Sequence, residues 1–280
     1  MEDPMTTTPT TPPSENFFNV AHATSLLAED APAFEHSVAI ALAVGAPLYT
    51  VHATDGRYSI VEMPRASVLL ERWGKGPLRH HTINHTCCDG AVDTLLDAMK
   101  TVDPDLLVVG KREGDSIIDH LLEESVSEAL ARNLPIPTLV IPSLASGFVD
   151  PRNGVAKIEH VLIPCENEAA MLPAISALVS LLSRMRLETP HITLLHVGEE
   201  SLEELALMLP EDAPVDSIEF VTRSGAPKDA ILELAAELDV DLIAMSTRGH
   251  DSLLDIARGS LTERVMREAK RPVLTIPIKK

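Results

Sequence analysis

The chain has 280 residues, a formal net charge of −19 at pH 7, 45% apolar side chains and only 3% aromatic ones. That length suits two domains of ~100–150 residues with aliphatic cores. The negative balance excludes a phosphate-neutralising nucleic-acid surface and disfavours an anionic membrane face, and the few aromatics argue against base stacking.

In chain order, residues 1–16 are rich in Thr and Pro, lack the basic and apolar regions of a secretory signal, and read as a disordered tail. No apolar run reaches the ~18–20 residues of a membrane span. The three cysteines, Cys87, Cys88 and Cys165, form no disulfide framework, so the expectation is a reducing, cytoplasmic setting. Segments "EHSVAIALAV", "PLYTVHA", "AVDTLLDAM" and "DLLVV" carry an alternation of helix and strand through the first half. "RHHTINHTCCDG" precedes "AVDTLLDAM" as a strand. Its His80, His81, His85, Cys87 and Cys88 suit zinc by type. On a strand, however, His81 and His85 stand ~13 Å apart at ~3.3 Å per residue, with His80 and Cys88 on the other face. Surface histidines and buried thiols are the preferred reading. Residues 143–156 have linker composition.

The second half alternates more clearly. "HVLIP", "HITLLHV", "SIEFVTR", "DLIAM" and "PVLTIP" are strands; "AAMLPAISALVSLLSRM", "KDAILELAAEL" and a segment from Ser260 are helices. Strands alternating with helices imply parallel strands covered on both faces. Ligands of such sheets sit beyond the carboxyl ends of the strands, where strand order reverses.

The halves are copies. Asp103–Asp119 and Asp239–Asp255 share seven of 17 positions, and Ser125–Pro142 and Ser260–Pro277 share seven of 18. Ser260 with Glu263, and Ser125 with Glu128, each spell the S-x-x-E capping box that opens a helix. Free N–H groups and the dipole at such an end favour an anion. Gly249 and Gly259 either lack a Cβ so that an anion can approach or simply serve a tight strand–loop–helix turn, and Arg248, His250 and Arg258 add positive charge. His250 reads as a phosphate-contacting or merely exposed side chain rather than an acid or base.

The stretch "DLIAMSTRGHDSLLDIARGSLTERVMREAKRPVLTIP" resembles the universal stress protein family in its tandem form. That family's hallmark is G-x2-G-x9-G-[S/T] after a "DLIVM"-like strand. Gly249, nine intervening residues, Gly259 and Ser260 fall in register, while Ser246 replaces the first glycine. The likeness covers residues 17–142 and 157–280. It implies two tandem doubly wound α/β domains, each a mostly parallel five-stranded sheet with helices on both faces. In nucleotide-binding members the loop holds the phosphates and ribose of ATP, with Mg2+, and adenine lies near the ends of the first two strands. Carried over, the site comprises Pro164, Glu166, Val197, Met245, Ser246, Arg248, Gly249, His250, Arg258, Gly259, Ser260 and Leu261. Glu166 stands where the family has Asp, one methylene longer. Members pair through the last strand, here "PTLVIP" or "PVLTIP", which implies a homodimer or an intramolecular pseudo-dimer, and unnamed protein partners.

The first copy keeps Gly110 in the place of Ser246 but has Glu113 for Gly249 and Glu124 for Gly259, and Leu26 is aligned with the family's Asp. Two unit charges ~4 Å apart repel by roughly 1 kcal/mol in water and several-fold more at a protein surface, so these carboxylates oppose a phosphate. Glu123 and Glu124 near a helix N-terminus supply an anion of the loop's own. The first half thus reads as structural or dimerising. No P-loop, nucleophile elbow or paired-carboxylate site is present, so turnover beyond slow ATP hydrolysis is not expected. The sequence leaves two functions open: a nucleotide-responsive stress regulator, or an interaction protein independent of nucleotide in which both loops are vestigial.

Overall fold

The strand-forming runs are Val-, Ile- and Leu-rich stretches bounded by Pro, Gly or Asp, and their near-continuous apolar character fits burial on both faces of a parallel sheet. The computed structural model describes residues 18–54, 63–86, 90–111, 126–143, 147–198, 218–247 and 260–278. In the first half β1 (Val20–Ala23), β2 (Leu48–Thr54), β3 (His80–Thr86), β4 (Leu106–Lys111) and β5 (Thr138–Pro142) alternate with α1 (Ala31–Val44), α2 (Ala66–Trp73), α3 (Ala91–Val102) and α4 (Val126–Asn133). In the second, β6 (His160–Pro164), β7 (His191–Val197), β8 (Ile218–Arg223), β9 (Leu242–Thr247) and β10 (Val273–Pro277) alternate with α5 (Glu168–Met185), α6 (Pro227–Glu237) and α7 (Leu261–Glu268).

The ten described strands lie in one sheet, in the order β3-β2-β1-β4-β5-β10-β9-β6-β7-β8. Each half is parallel within itself. The halves meet where β5 and β10 run antiparallel, Val273 opposite Val140 and Thr275 opposite Thr138. The expected pairing through the last strands therefore occurs inside one chain. Because that junction is antiparallel, the carboxyl ends of the two sets of strands face opposite edges of the sheet. Strand order reverses between β1 and β4 in one half and between β6 and β9 in the other.

Two apolar layers cover the sheet, and both run across the junction. One packs α1, α2 and α5 against the sheet through Phe34, Trp73 and Met171; the other packs α3, α4, α6 and α7 through Met99, Leu130, Ile231 and Met266. The joining segment belongs to the first layer. Phe148, Val149 and Ile158 are buried, Val149 bridges Ala156, and the Trp73 indole N–H donates to the Pro151 carbonyl at 2.9 Å. A stretch of linker composition is thus a packed plug, because two apolar anchors, Phe148 and Val149, sit among its Gly, Pro and Asp residues and Ile158 follows just beyond it.

Among the described residues no helix is long and apolar enough to cross a membrane.

Candidate functional site

The carboxyl ends of β6, β7 and β9 bring most of the described sequence-predicted residues to one edge. Pro164 closes β6, Val197 closes β7, and Met245 and Ser246 lie near the carboxyl end of β9. Val197, Met245 and Leu261 pack into the same apolar layer. Ser246 is fixed on two sides: its Oγ donates to the Ala170 carbonyl at 2.6 Å, in the first turn of α5, and its carbonyl accepts from Thr262 Oγ1 at 3.5 Å. The start of α7 is thereby tied to the end of β9.

At that start the predicted capping box is complete. Ser260 Oγ accepts from the Glu263 N–H at 3.2 Å, and the Glu263 carboxylate accepts from the Ser260 N–H at 2.7 Å. Asn167 caps α5, its side-chain oxygen accepting from the Ala170 N–H at 3.1 Å. Glu166, just before it, is exposed. Cys165 is buried, and burial pushes its thiol up to about 11, so it is no nucleophile at neutral pH. Arg248, Gly249, His250, Arg258 and Gly259 lie outside the described residues, as do Cys87, Cys88, Glu113, Glu123, Glu124 and Ser125.

At the equivalent strand ends of the first half the protein places a carboxylate of its own. Val20 pairs with Leu106 as Val161 pairs with Leu242, so Thr24 matches Cys165 and Ser25 matches Glu166. Ser25, not Leu26, therefore takes the place of the family's Asp. Leu26 is one residue further on, in the left-handed region at φ 64°. Asp30 is buried and bends back to accept from Ser25 N–H at 2.5 Å, Ser25 Oγ at 2.6 Å and Thr24 Oγ1 at 3.2 Å. A Cβ on Gly110 would collide with this carboxylate. Asp30 thus seats a carboxylate between the ends of β1 and β4, while Glu123 and Glu124, the expected source of the loop's own anion, lie outside the described residues.

One device is shared by both crevices. His52 Nδ1–H donates to the Thr24 carbonyl at 2.8 Å, and His196 Nδ1–H donates to the Cys165 carbonyl at 3.1 Å. By the same register these are matching histidines on matching carbonyls. Each pins the turn after the first strand of its half. The common "VHA" and "LHV" endings of the second strands are the sequence signal for this pair. Asp30 had a weaker one, a carboxylate following the adjacent donors Thr24 and Ser25.

The histidines of β3 alternate as a strand requires. His80 turns inward to Thr50 Oγ1 at 2.9 Å, and His81 stacks on Tyr49 with ring centroids 4.9 Å apart. Among the described residues no group of three His, Cys, Asp or Glu side chains is placed to hold a metal.

The comparisons bear on both halves. The model of the universal stress protein family matches residues 17–142 and 168–277. A universal stress protein of Methanocaldococcus jannaschii is 36% identical over 52 residues, 19% of this chain and 32% of that one. A second from the same organism is 35% identical over 79 residues, 28% of this chain and 45% of that one. The chain therefore spans less than half the length of either relative it matches. Among solved structures, a universal stress protein from Archaeoglobus fulgidus superposes with a TM-score of 0.65 at 16% identity, over 94% of this chain and 97% of that one. A functionally unknown protein from Pseudomonas aeruginosa gives 0.63 at 14% identity, over 94% and 93%. At such identities the likeness is one of fold. With family-model matches over both repeats, the chain belongs to the universal stress protein family, with two copies of its domain in one polypeptide.

Proposed function

We propose that the second half binds an adenine nucleotide, ATP with Mg2+ in the first instance, and that the chain is a nucleotide-responsive regulator read by protein partners. The observation that carries this reading is the capped N-terminus of α7, tied through Thr262 to Ser246 at the point where strand order reverses. The remaining N–H groups and dipole of α7 suit a phosphate. Gly249 and Gly259 give the chain close approach in the motif's register. Val197 and Met245 offer an apolar wall for adenine, and Pro164 and Glu166 flank the ribose side. The first half contributes no second site on this reading, because Asp30 holds the corresponding crevice.

Calorimetric titration of the full chain with ATP, with and without Mg2+, tests this alongside Gly259→Glu, which imitates the first copy. The expected result is one nucleotide per chain, lost in the variant. No heat with the wild type, together with no nucleotide released on denaturing it, would overturn the reading. The interaction protein would then stand.

A further inference from the structure

The helix that opens on the proposed site is held by the other half of the molecule along its length. Near the N-terminus of α7, Arg132 of α4 reaches Glu263 at 3.5 Å. In its last turn, Arg267 makes a two-pronged pair with Glu128 of α4, at 3.2 and 2.8 Å. Just past its end, Lys111 of β4 donates to the Ala269 carbonyl at 3.1 Å, a cation at a helix C-terminus. Glu128 and Glu263 occupy matching positions of the repeat, as do Arg132 and Arg267. The two ion pairs are therefore one contact repeated across a pseudo-two-fold axis.

The two copies of that contact differ. Among the described contacts, Glu128–Arg267 is short and forked, whereas Arg132 meets Glu263 through one bond of 3.5 Å. Glu263 is shared: one carboxylate oxygen accepts from the Ser260 N–H at 2.7 Å while the other faces Arg132. Its side chain is 7% exposed, so water screens its charge poorly. The Glu263 carboxylate completes the cap of α7, and uncompensated it would set a negative charge beside any phosphate brought to the same end. An arginine of the first half, Arg132, faces the second oxygen and offsets its charge.

We infer that Arg132 is a positioning residue for the nucleotide site of the second half, acting through Glu263. With phosphate at the end of α7, Glu263 shifts its bonding from the Ser260 N–H toward Arg132, and the ion pair across the two halves tightens. Occupancy of the site and the seating of α4 are then linked, and linkage is reciprocal: displacing α4 changes nucleotide affinity by the factor with which nucleotide changes the seating of α4. The degenerate half thereby regulates the intact one.

This inference rests on the nucleotide-binding reading, and the test separates the two. The full chain is titrated with ATP as wild type, Arg132→Ala, Arg132→Lys, Glu263→Gln and the double variant Arg132→Ala/Glu263→Gln, each first shown folded by thermal melt. Glu263→Gln keeps a capping amide but removes the charge. Arg132→Ala should weaken ATP about ten-fold, Arg132→Lys by less than about three-fold, and Arg132→Ala in the Glu263→Gln background by less than about two-fold. An equal loss in both backgrounds would make Arg132 merely structural and overturn the inference, as would unchanged ATP affinity in Arg132→Ala. A wild type that binds no ATP would remove the underlying reading and the inference with it.

Discussion

His22 sits in β1 with no exposed surface, its ring 5.4 Å from that of Phe34, and neither ring nitrogen has a hydrogen-bond partner among the described residues. Burial drives its pKa from 6.5 down to about 4, against the pull of Asp30 and with the help of His80. His36, on α1, is also buried and lowered to about 4 by burial, although the Pro32 carbonyl opposes the shift. Its Nδ1–H donates to Pro32 at 2.7 Å and its Nε2 accepts from the Phe148 N–H at 3.2 Å, an arrangement only the neutral ring can hold. Above pH 6.5 both folded and unfolded states are neutral and nothing is lost. Between 6.5 and 4 the unfolded chain takes up protons that the folded chain refuses, so stability falls as pH falls and levels off below 4. Two and a half pH units correspond to about 3 kcal/mol per histidine. Urea unfolding at pH 7 and pH 4.5 should show this drop. His22→Leu should halve it and leave stability at pH 7 unchanged or raised by ~1 kcal/mol, since an unsatisfied buried polar group is removed. Equal acid sensitivity in wild type and variant would sink the assignment.

At the scale of elements, the segment joining the halves is the least expected feature. Gly154 has φ 66°, and a Cβ there would meet the Trp73 ring. Gly154→Ala combines left-handed strain with overpacking and should cost about 2–4 kcal/mol. Trp73 is the single tryptophan of the chain, so a red shift of its emission would report the segment lifting off α2. Unshifted emission and an unchanged melt would show that the plug yields without cost. Its packing was hidden in the sequence because Gly, Pro and Asp set the composition while Phe148 and Val149, with Ile158 just beyond, do the burying. The capping box at Ser260 was legible for the opposite reason. Its partners lie three residues apart, and the geometry of a first helical turn brings them together unaided.

At the scale of the whole molecule, β5 and β10 turn two five-stranded sheets into one and remove one exposed edge from each half. The second half expressed alone, residues 157–280, would expose β10, the apolar layers at the junction, and both Glu263 and Arg267. It should self-associate across that edge, with Glu263 of one copy meeting Arg267 of the other as Glu128 meets Arg267 in the intact chain. Light scattering after size-exclusion would find a dimer. A stable monomer would show that the junction is not what satisfies this edge.

The sequence by itself determined the duplication, the alternation of strand and helix, the start of α7 and the polarity of the copies, because periodicity, capping and substitution act over a few residues. Only the tertiary structure decided what meets what at long range. Asp30 seats its carboxylate between the ends of β1 and β4 because Gly110, on a strand far along the chain, leaves room for it. The first-strand turn was displaced by one residue, Leu26 for Ser25, because nothing local marks the register that pairing with β4 imposes. Arg267 meets Glu128 across 139 residues of chain, and Arg132 reaches Glu263 across 131. Contacts at such separations depend on the antiparallel seam between β5 and β10. The direction of that seam is set by how two whole apolar layers close over one sheet, a choice that no short stretch of sequence encodes.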